Sequence, residues 1–179
     1  MQVVLHDLSL VGLDGLAADG LALFIDQRER PLQGLAGLCD WRLCGQLSRV
    51  LETNFFQGVG GETLLMPTDG RLPVARLLAF GIGTSPAAAP AQTEAQLGKA
   101  FEVAHRAGIR SLALAIDFLA PQMEVAAAAW ARAARRAPLN RQVLLGDWRA
   151  NGKGFRAGVA DAGDLEIVGD PPAVGQKRA

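Results

Sequence analysis

Short apolar runs, each long enough for a single strand, alternate along this chain with segments whose apolar residues recur every three or four positions. That alternation constrains the fold more than any other feature, because helices recurring between apolar strands must cover the faces of a shared sheet. Residues 3–5 and 21–25 read as strands, separated by Gly12, Gly15 and Gly20. Over 38–51 the residues Trp41, Leu43, Cys44, Leu47, Val50 and Leu51 fall on one broad helical face, with Asp40 placed to stabilise the first turn. A glycine-rich link leads to strands at 63–66 and 76–80. Between them Thr68-Asp69-Gly70 is turn chemistry, which predicts a hairpin or neighbouring strands.

The second half repeats the pattern. A Pro- and Ala-rich loop over 85–91 precedes Thr93, a helix N-cap in this reading, and Leu97, Ala100, Phe101, Ala104 and Ala107 mark a helix face that Gly108 ends. Residues 111–116 read as a buried strand and 141–145 as the next one. Between them Met123, Ala126, Ala127, Trp130, Ala131 and Ala134 keep the helical period as far as Pro138. The expected class is α/β, a three-layer α/β/α sandwich with a mixed central sheet. A chain of 179 residues suits one such domain, burying roughly 70% of its unfolded surface. We expect it over 1–168, with only 165–168 strand-like after Asp147 and a flexible C-terminal tail over 169–179.

Lysine plus arginine equals aspartate plus glutamate at 18 each, so no net field gathers polyanions. Arg132, Arg135, Arg136 and Arg141 form the densest basic run and read as a solvated helix end, not as a nucleic-acid surface. No apolar run reaches the roughly 18 residues of a membrane helix, and residues 1–10 lack the build of a signal peptide. The default expectation is a cytoplasmic protein.

No catalytic residue is assigned. The imidazoles are His6 and His105, read as a strand residue and a helix-surface residue, and the carboxylate pairs Asp161 with Asp164 and Glu62 with Asp69 lie in loops. Cys39 and Cys44 read as small buried thiols on different helix faces. With the two histidines they match no zinc spacing, so neither metal nor cofactor is expected. Gly58-Val59-Gly60-Gly61-Glu62-Thr63 reads as a tight connection or as an anion-binding loop, although it lacks the lysine of a nucleotide-hydrolase loop. Gly81-Ile82-Gly83-Thr84 follows a strand, where open α/β sheets bind ligands. Together Gly58, Gly60, Gly61, Gly81, Gly83 and Thr84 form the candidate ligand crevice.

The run 30–48 (Arg-Pro-Leu-Gln-Gly-Leu-Ala-Gly-Leu-Cys-Asp-Trp-Arg-Leu-Cys-Gly-Gln-Leu-Ser), followed by Phe55-Phe56-Gln57-Gly58 and by Gly61-Glu62-Thr63-Leu64-Leu65-Met66-Pro67, resembles the N-terminal domain of leucyl aminopeptidases. The strand Arg76-Leu77-Leu78-Ala79-Phe80-Gly81-Ile82-Gly83 extends the likeness, which covers roughly 21–145. The resemblance implies a fold similar to macro domains, the modules that bind ADP-ribose. It also implies two roles, packing within an aminopeptidase assembly or holding a nucleotide diphosphate at the rim. The catalytic segment of that family, Asn-Thr-Asp-Ala-Glu-Gly-Arg, does not occur here, and the lysines are Lys99, Lys153 and Lys177. Of the macro-domain ligand contacts, Asp26 is a candidate for the early aspartate, while the Asn-rich turn is missing.

The leading expectation is therefore a free-standing, non-catalytic interaction or assembly domain that self-associates or docks to another protein, with Trp148, Phe155 and the helix over 123–137 supplying apolar interface. The alternative is a small-ligand module for ADP-ribose, a nucleotide or phosphate. A third reading, ranked last, is an accessory chain of a metallo-aminopeptidase.

Overall fold

The apolar runs all become strands of one sheet. In the computed structural model, which describes residues 1–84, 90–116, 122–163 and 165–168, the strands are β1 (Gln2–Asp7), β2 (Gly20–Asp26), β3 (Thr63–Pro67), β4 (Arg76–Gly83), β5 (Ser111–Ala115), β6 (Arg141–Gly146) and β7 (Glu166–Val168). Their order is β3-β4-β2-β5-β6-β1-β7. Every pairing is parallel except β3 on β4, so the sheet is mixed. The helices are α1 (Leu10–Asp14), α2 (Gly34–Arg42), α3 (Gln46–Glu52), α4 (Pro90–Arg106), α5 (Met123–Arg135) and α6 (Trp148–Gly158).

Alternation along the strands divides the core in two. Ala22, Phe24, Leu78, Phe80, Leu112 and Leu114 pack beneath α4, α5 and α6, while Leu21, Leu23, Ile25, Leu77, Ala79 and Ala113 pack beneath α1, α2 and α3. The three-layer sandwich is thus present. The expected tail over 169–179, Asp164 and most of the expected loop over 85–91 lie outside the described residues.

Several local expectations are corrected. The single helix expected over 38–51 is two, because Cys44 (φ 54°) and Gly45 (φ 75°) turn into the left-handed region. Asp40 is not in a first turn: its carboxylate accepts from Leu47 N (2.9 Å), Ser48 N (3.1 Å) and Ser48 Oγ (2.5 Å), capping α3 instead. The Gly12 region is a short helix capped by Ser9 Oγ, which accepts from Gly12 N at 3.0 Å. α4 begins at Pro90, so Thr93 lies inside it, buried.

The largest omission is α6, whose run Asn151-Gly152-Lys153-Gly154 has poor helix propensity. Asp147 caps it by accepting from Arg149 N and Ala150 N, and its glycines permit close packing on α5. A Cβ on Gly158 would stand 2.3 Å from Glu124 O and 2.8 Å from Ala127 Cβ. Trp148 and Phe155, expected at an interface, are 2% and 1% exposed. Phe155 packs on Trp130 and Trp148 at ring separations of 5.8 and 5.1 Å. The helix over 123–137 is likewise core, with Ala126, Ala127, Trp130 and Ala134 buried.

Candidate functional site

β2 and β4 end side by side, and the glycines singled out in the sequence meet there. β4 carries Gly81 and Gly83 at its carboxyl end, and the link from α3 to β3 lies across it. Gly83 N donates to Gly58 O (2.9 Å), Gly61 N to Gly81 O (3.3 Å), Gly81 N to Glu62 O (3.0 Å) and Gln27 N to Gly83 O (3.0 Å). The backbones approach so closely that a Cβ on Gly81 would stand 2.1 Å from Val59 O, and one on Gly58, itself at φ +81°, 3.0 Å from Ile25 O. Glycine at these two positions follows from chain crossing. A Cβ on Gly60 would make only an ordinary contact, 4.0 Å from Gly83 N, Gly61 has open space around it, and Thr84 is exposed at the end of the group.

The loop that most resembles an anion cradle holds an anion of its own. Glu62 Oε2 accepts from both Gln57 N and Val59 N at 2.9 Å, so converging N–H groups that a phosphate would use already face a carboxylate. Lys99 Nζ donates to Gly61 O at 3.1 Å on the α4 side. Beside it a cavity of about 350 Å³ is lined by Phe24, Glu62, Phe80, Ile82, Gln96 and Lys99, with the two phenylalanine rings 5.6 Å apart.

Other donors at this rim are filled in the same way. Asp26 accepts from Arg28 N (2.7 Å), Arg28 Nε (3.3 Å) and Arg28 Nη2 (3.1 Å). That hydrogen bonding from the Arg28 guanidinium holds the Asp26 carboxyl below its usual value against the opposing effect of desolvation. Glu29 Oε1 accepts from Gln33 N (2.6 Å) at the start of α2. Arg30 is spent on backbone carbonyls, Glu29 O at 2.7 Å and Gln57 O at 3.2 Å.

The remaining sequence candidates are dispersed. His6 Nδ1 lies 3.2 Å from Gly12 O, while its carbonyl accepts from Trp148 Nε1 at 2.6 Å. His105 Nδ1 lies 2.9 Å from Pro138 O and 2.6 Å from Arg110 Nη1. Cys39 is buried, and burial pushes its thiol well up, with the Asp40 charge adding to the effect. Cys44 is not buried as expected: the turn that separates α2 from α3 exposes it, and Arg71 Nη1 donates to its Sγ at 2.9 Å. Among the described residues no three His, Cys, Asp or Glu side chains come together to hold a metal, and no helix is long and apolar enough to cross a membrane. Within the basic run, Arg132 and Arg136 share Glu94 (2.7 and 3.0 Å), and Arg135 donates to Asp161 O.

Exposed apolar side chains appear where the sequence reading did not place them. Trp41, Phe55 and Leu65 are 63%, 77% and 51% exposed, all within the segment from α2 to β3. Trp41 keeps the period of a buried helix face and Leu65 sits in an unbroken apolar run, so only the position of β3 at the sheet edge could have marked Leu65.

The comparisons with known proteins agree with this architecture. The model of the cytosol aminopeptidase family's N-terminal domain matches residues 21–143. A probable cytosol aminopeptidase of Geobacter sp. (strain M21) is 43% identical over 60 residues, which are 34% of this chain and 11% of that protein. Among solved structures, a mutant of tomato leucine aminopeptidase superposes with a TM-score of 0.59 at 20% identity, covering 82% of this chain and 32% of its own. A Trypanosoma brucei macrodomain in complex with ADP gives a TM-score of 0.68 at 17% identity, covering 88% of this chain and 68% of its own. The same macrodomain in complex with ADP-ribose gives 0.66 at 16% identity, covering 90% of this chain and 69% of its own. The chain thus spans about a third of the tomato enzyme and has the fold of a macrodomain. By the match over residues 21–143, it belongs to the cytosol aminopeptidase family, in the part that forms that family's N-terminal domain.

Proposed function

We propose that this domain acts by assembly, holding protein chains together, and that it neither catalyses a reaction nor takes an anionic ligand at its glycine rim. The observation that carries this reading is the Glu62 carboxylate seated on Gln57 N and Val59 N. A phosphate brought to that loop would meet a negative charge where a cradle should present donors. Asp26 and Glu29 repeat the arrangement beside it. The exposed Trp41, Phe55 and Leu65 supply the kind of apolar area that interfaces bury.

The alternative is a macro-like module for ADP-ribose or a nucleotide, supported by the fold shared with macrodomains solved with ADP and ADP-ribose and by the cavity beside Phe24 and Phe80. Calorimetry with ADP-ribose, ADP and phosphate, run beside light scattering and capture of binding partners from lysate, separates the two. Assembly predicts no saturable heat at millimolar ligand together with self-association or a captured partner. A one-to-one ADP-ribose isotherm, or a clean monomer that captures nothing, overturns it.

A further inference from the structure

Resting on the assembly reading, we propose that the free edge of β3 pairs antiparallel with the same edge of a second copy of this chain, about a two-fold axis at Leu65. Among the described residues β3 ends the sheet, bonded to β4 alone. Its hydrogen-bonding parity follows from two bonds at its ends: Thr68 N donates to Ala75 O at 3.3 Å, and Gly81 N to Glu62 O at 3.0 Å. With Leu64 opposite Ala79 and Met66 opposite Leu77, the even-numbered positions turn their polar groups toward β4. Thr63 and Leu65 therefore direct N–H and C=O outward, and Pro67 directs its C=O outward.

This edge is self-complementary in one register. Centred on Leu65, the pairing lets Leu65 exchange two hydrogen bonds with its twin, while each Thr63 N–H meets the Pro67 carbonyl of the other copy. A register centred on Pro67 would set two missing donors face to face, so proline selects against it. Leu64 and Met66 pack into the α2–α3 side of the core, which leaves Leu65, 51% exposed, on the other face against its twin. Beyond the strand the chain leaves this register on both sides, Gly61 at φ 96° and Asp69 at φ 49°, so the paired segment is Thr63–Pro67 itself. Natural edges are guarded by charges, by proline, by bulges or by being very short; Thr63-Leu64-Leu65-Met66-Pro67 has no charge and its proline stands at one end, whereas the opposite edge, β7, has three residues and carries Glu166.

Sedimentation equilibrium of the wild-type chain is the first test, with circular dichroism as a folding control on each variant. We expect a reversible dimer, weakened at least tenfold by Leu65→Lys. Because twin Cα atoms in a hydrogen-bonded antiparallel pair lie about 5.5 Å apart, within disulfide reach, Leu65→Cys in a Cys44→Ser background should give a covalent dimer under mild oxidation, whereas Thr63→Cys should not. A wild-type dimer indifferent to Leu65→Lys and not cross-linked through Leu65→Cys overturns the β3 inference and leaves assembly standing through another surface. A monomer that captures a different protein does the same. A monomer that captures nothing removes both readings.

Discussion

Replacing Glu62 with alanine tests whether the rim really carries its own anion. The side chain is half-buried and one carboxylate oxygen accepts two backbone N–H groups at 2.9 Å. Hydrogen bonds to charged groups contribute about 1.5–3 kcal/mol each when enclosed, but here water can reach the freed donors. The two together should therefore account for about 1–2 kcal/mol, and Glu62→Gln, which keeps an acceptor, should lose about half as much. Removal also opens the cradle. If sulfate then binds with a Kd of about 10 mM, 100 mM sulfate stabilises the variant by roughly 1.4 kcal/mol. At about 2–4 °C per kcal/mol for this size, that is about 3–6 °C of Tm beyond the wild-type gain. The assay is thermal unfolding of both proteins in sulfate and in chloride at matched ionic strength. Sulfate raises most melting temperatures by exclusion from the surface, so the difference between variant and wild type is the measurement. Equal gains, or a Glu62→Ala protein as stable as wild type, would show that the loop is not filled as described.

Gly158→Ala, whose Cβ would stand 2.3 Å from the Glu124 carbonyl, should destabilise by about 1–3 kcal/mol through overpacking of α6 on α5. Gly98→Ala in α4, with nothing within 4 Å, should stabilise by up to about 1 kcal/mol, and urea midpoints of opposite sign check the pair. For pH, the hydrogen bond from Arg132, with Arg136 assisting, holds the Glu94 carboxyl below its ordinary value, and Arg28 does the same for Asp26. A depressed folded pKa means that the contribution is complete above the unfolded pKa and is lost as pH falls through the folded one. Unfolding free energy measured in urea should therefore decline between about pH 5 and pH 3, with a shallower slope in Glu94→Gln and Asp26→Asn; unchanged slopes would refute the pairing.

Much of the architecture was legible because its signals are local. The runs around Leu21, Leu77, Leu112 and Val143 are unbroken and apolar, as strands covered on both faces must be. Thr68-Asp69-Gly70 announced the turn that brings β3 against β4. The errors came where a contact distant in sequence overrode propensity. α6 is helical despite Gly152 and Gly154 because Asp147 caps it and Trp148 and Phe155 are drawn into the core. The helix expected over 38–51 breaks because Asp40 reaches forward to cap a second one. The glycine rim was legible as a place and not as a filled cradle, since nothing in Gly58-Val59-Gly60-Gly61-Glu62 states which way the glutamate points.

Residue order alone determined the α/β class and the alternation of elements, because periodicity and residue type are properties of neighbours in the chain. Tertiary structure decided which strand stands at the edge, which aromatic residues are core and which are bare, and which carboxylate occupies which set of donors. Those outcomes depend on sheet order and on approaches of a few ångströms between segments far apart in sequence. The exposure of Leu65 follows from where the sheet ends and the burial of Trp148 from how α6 packs into the core, quantities no local window contains.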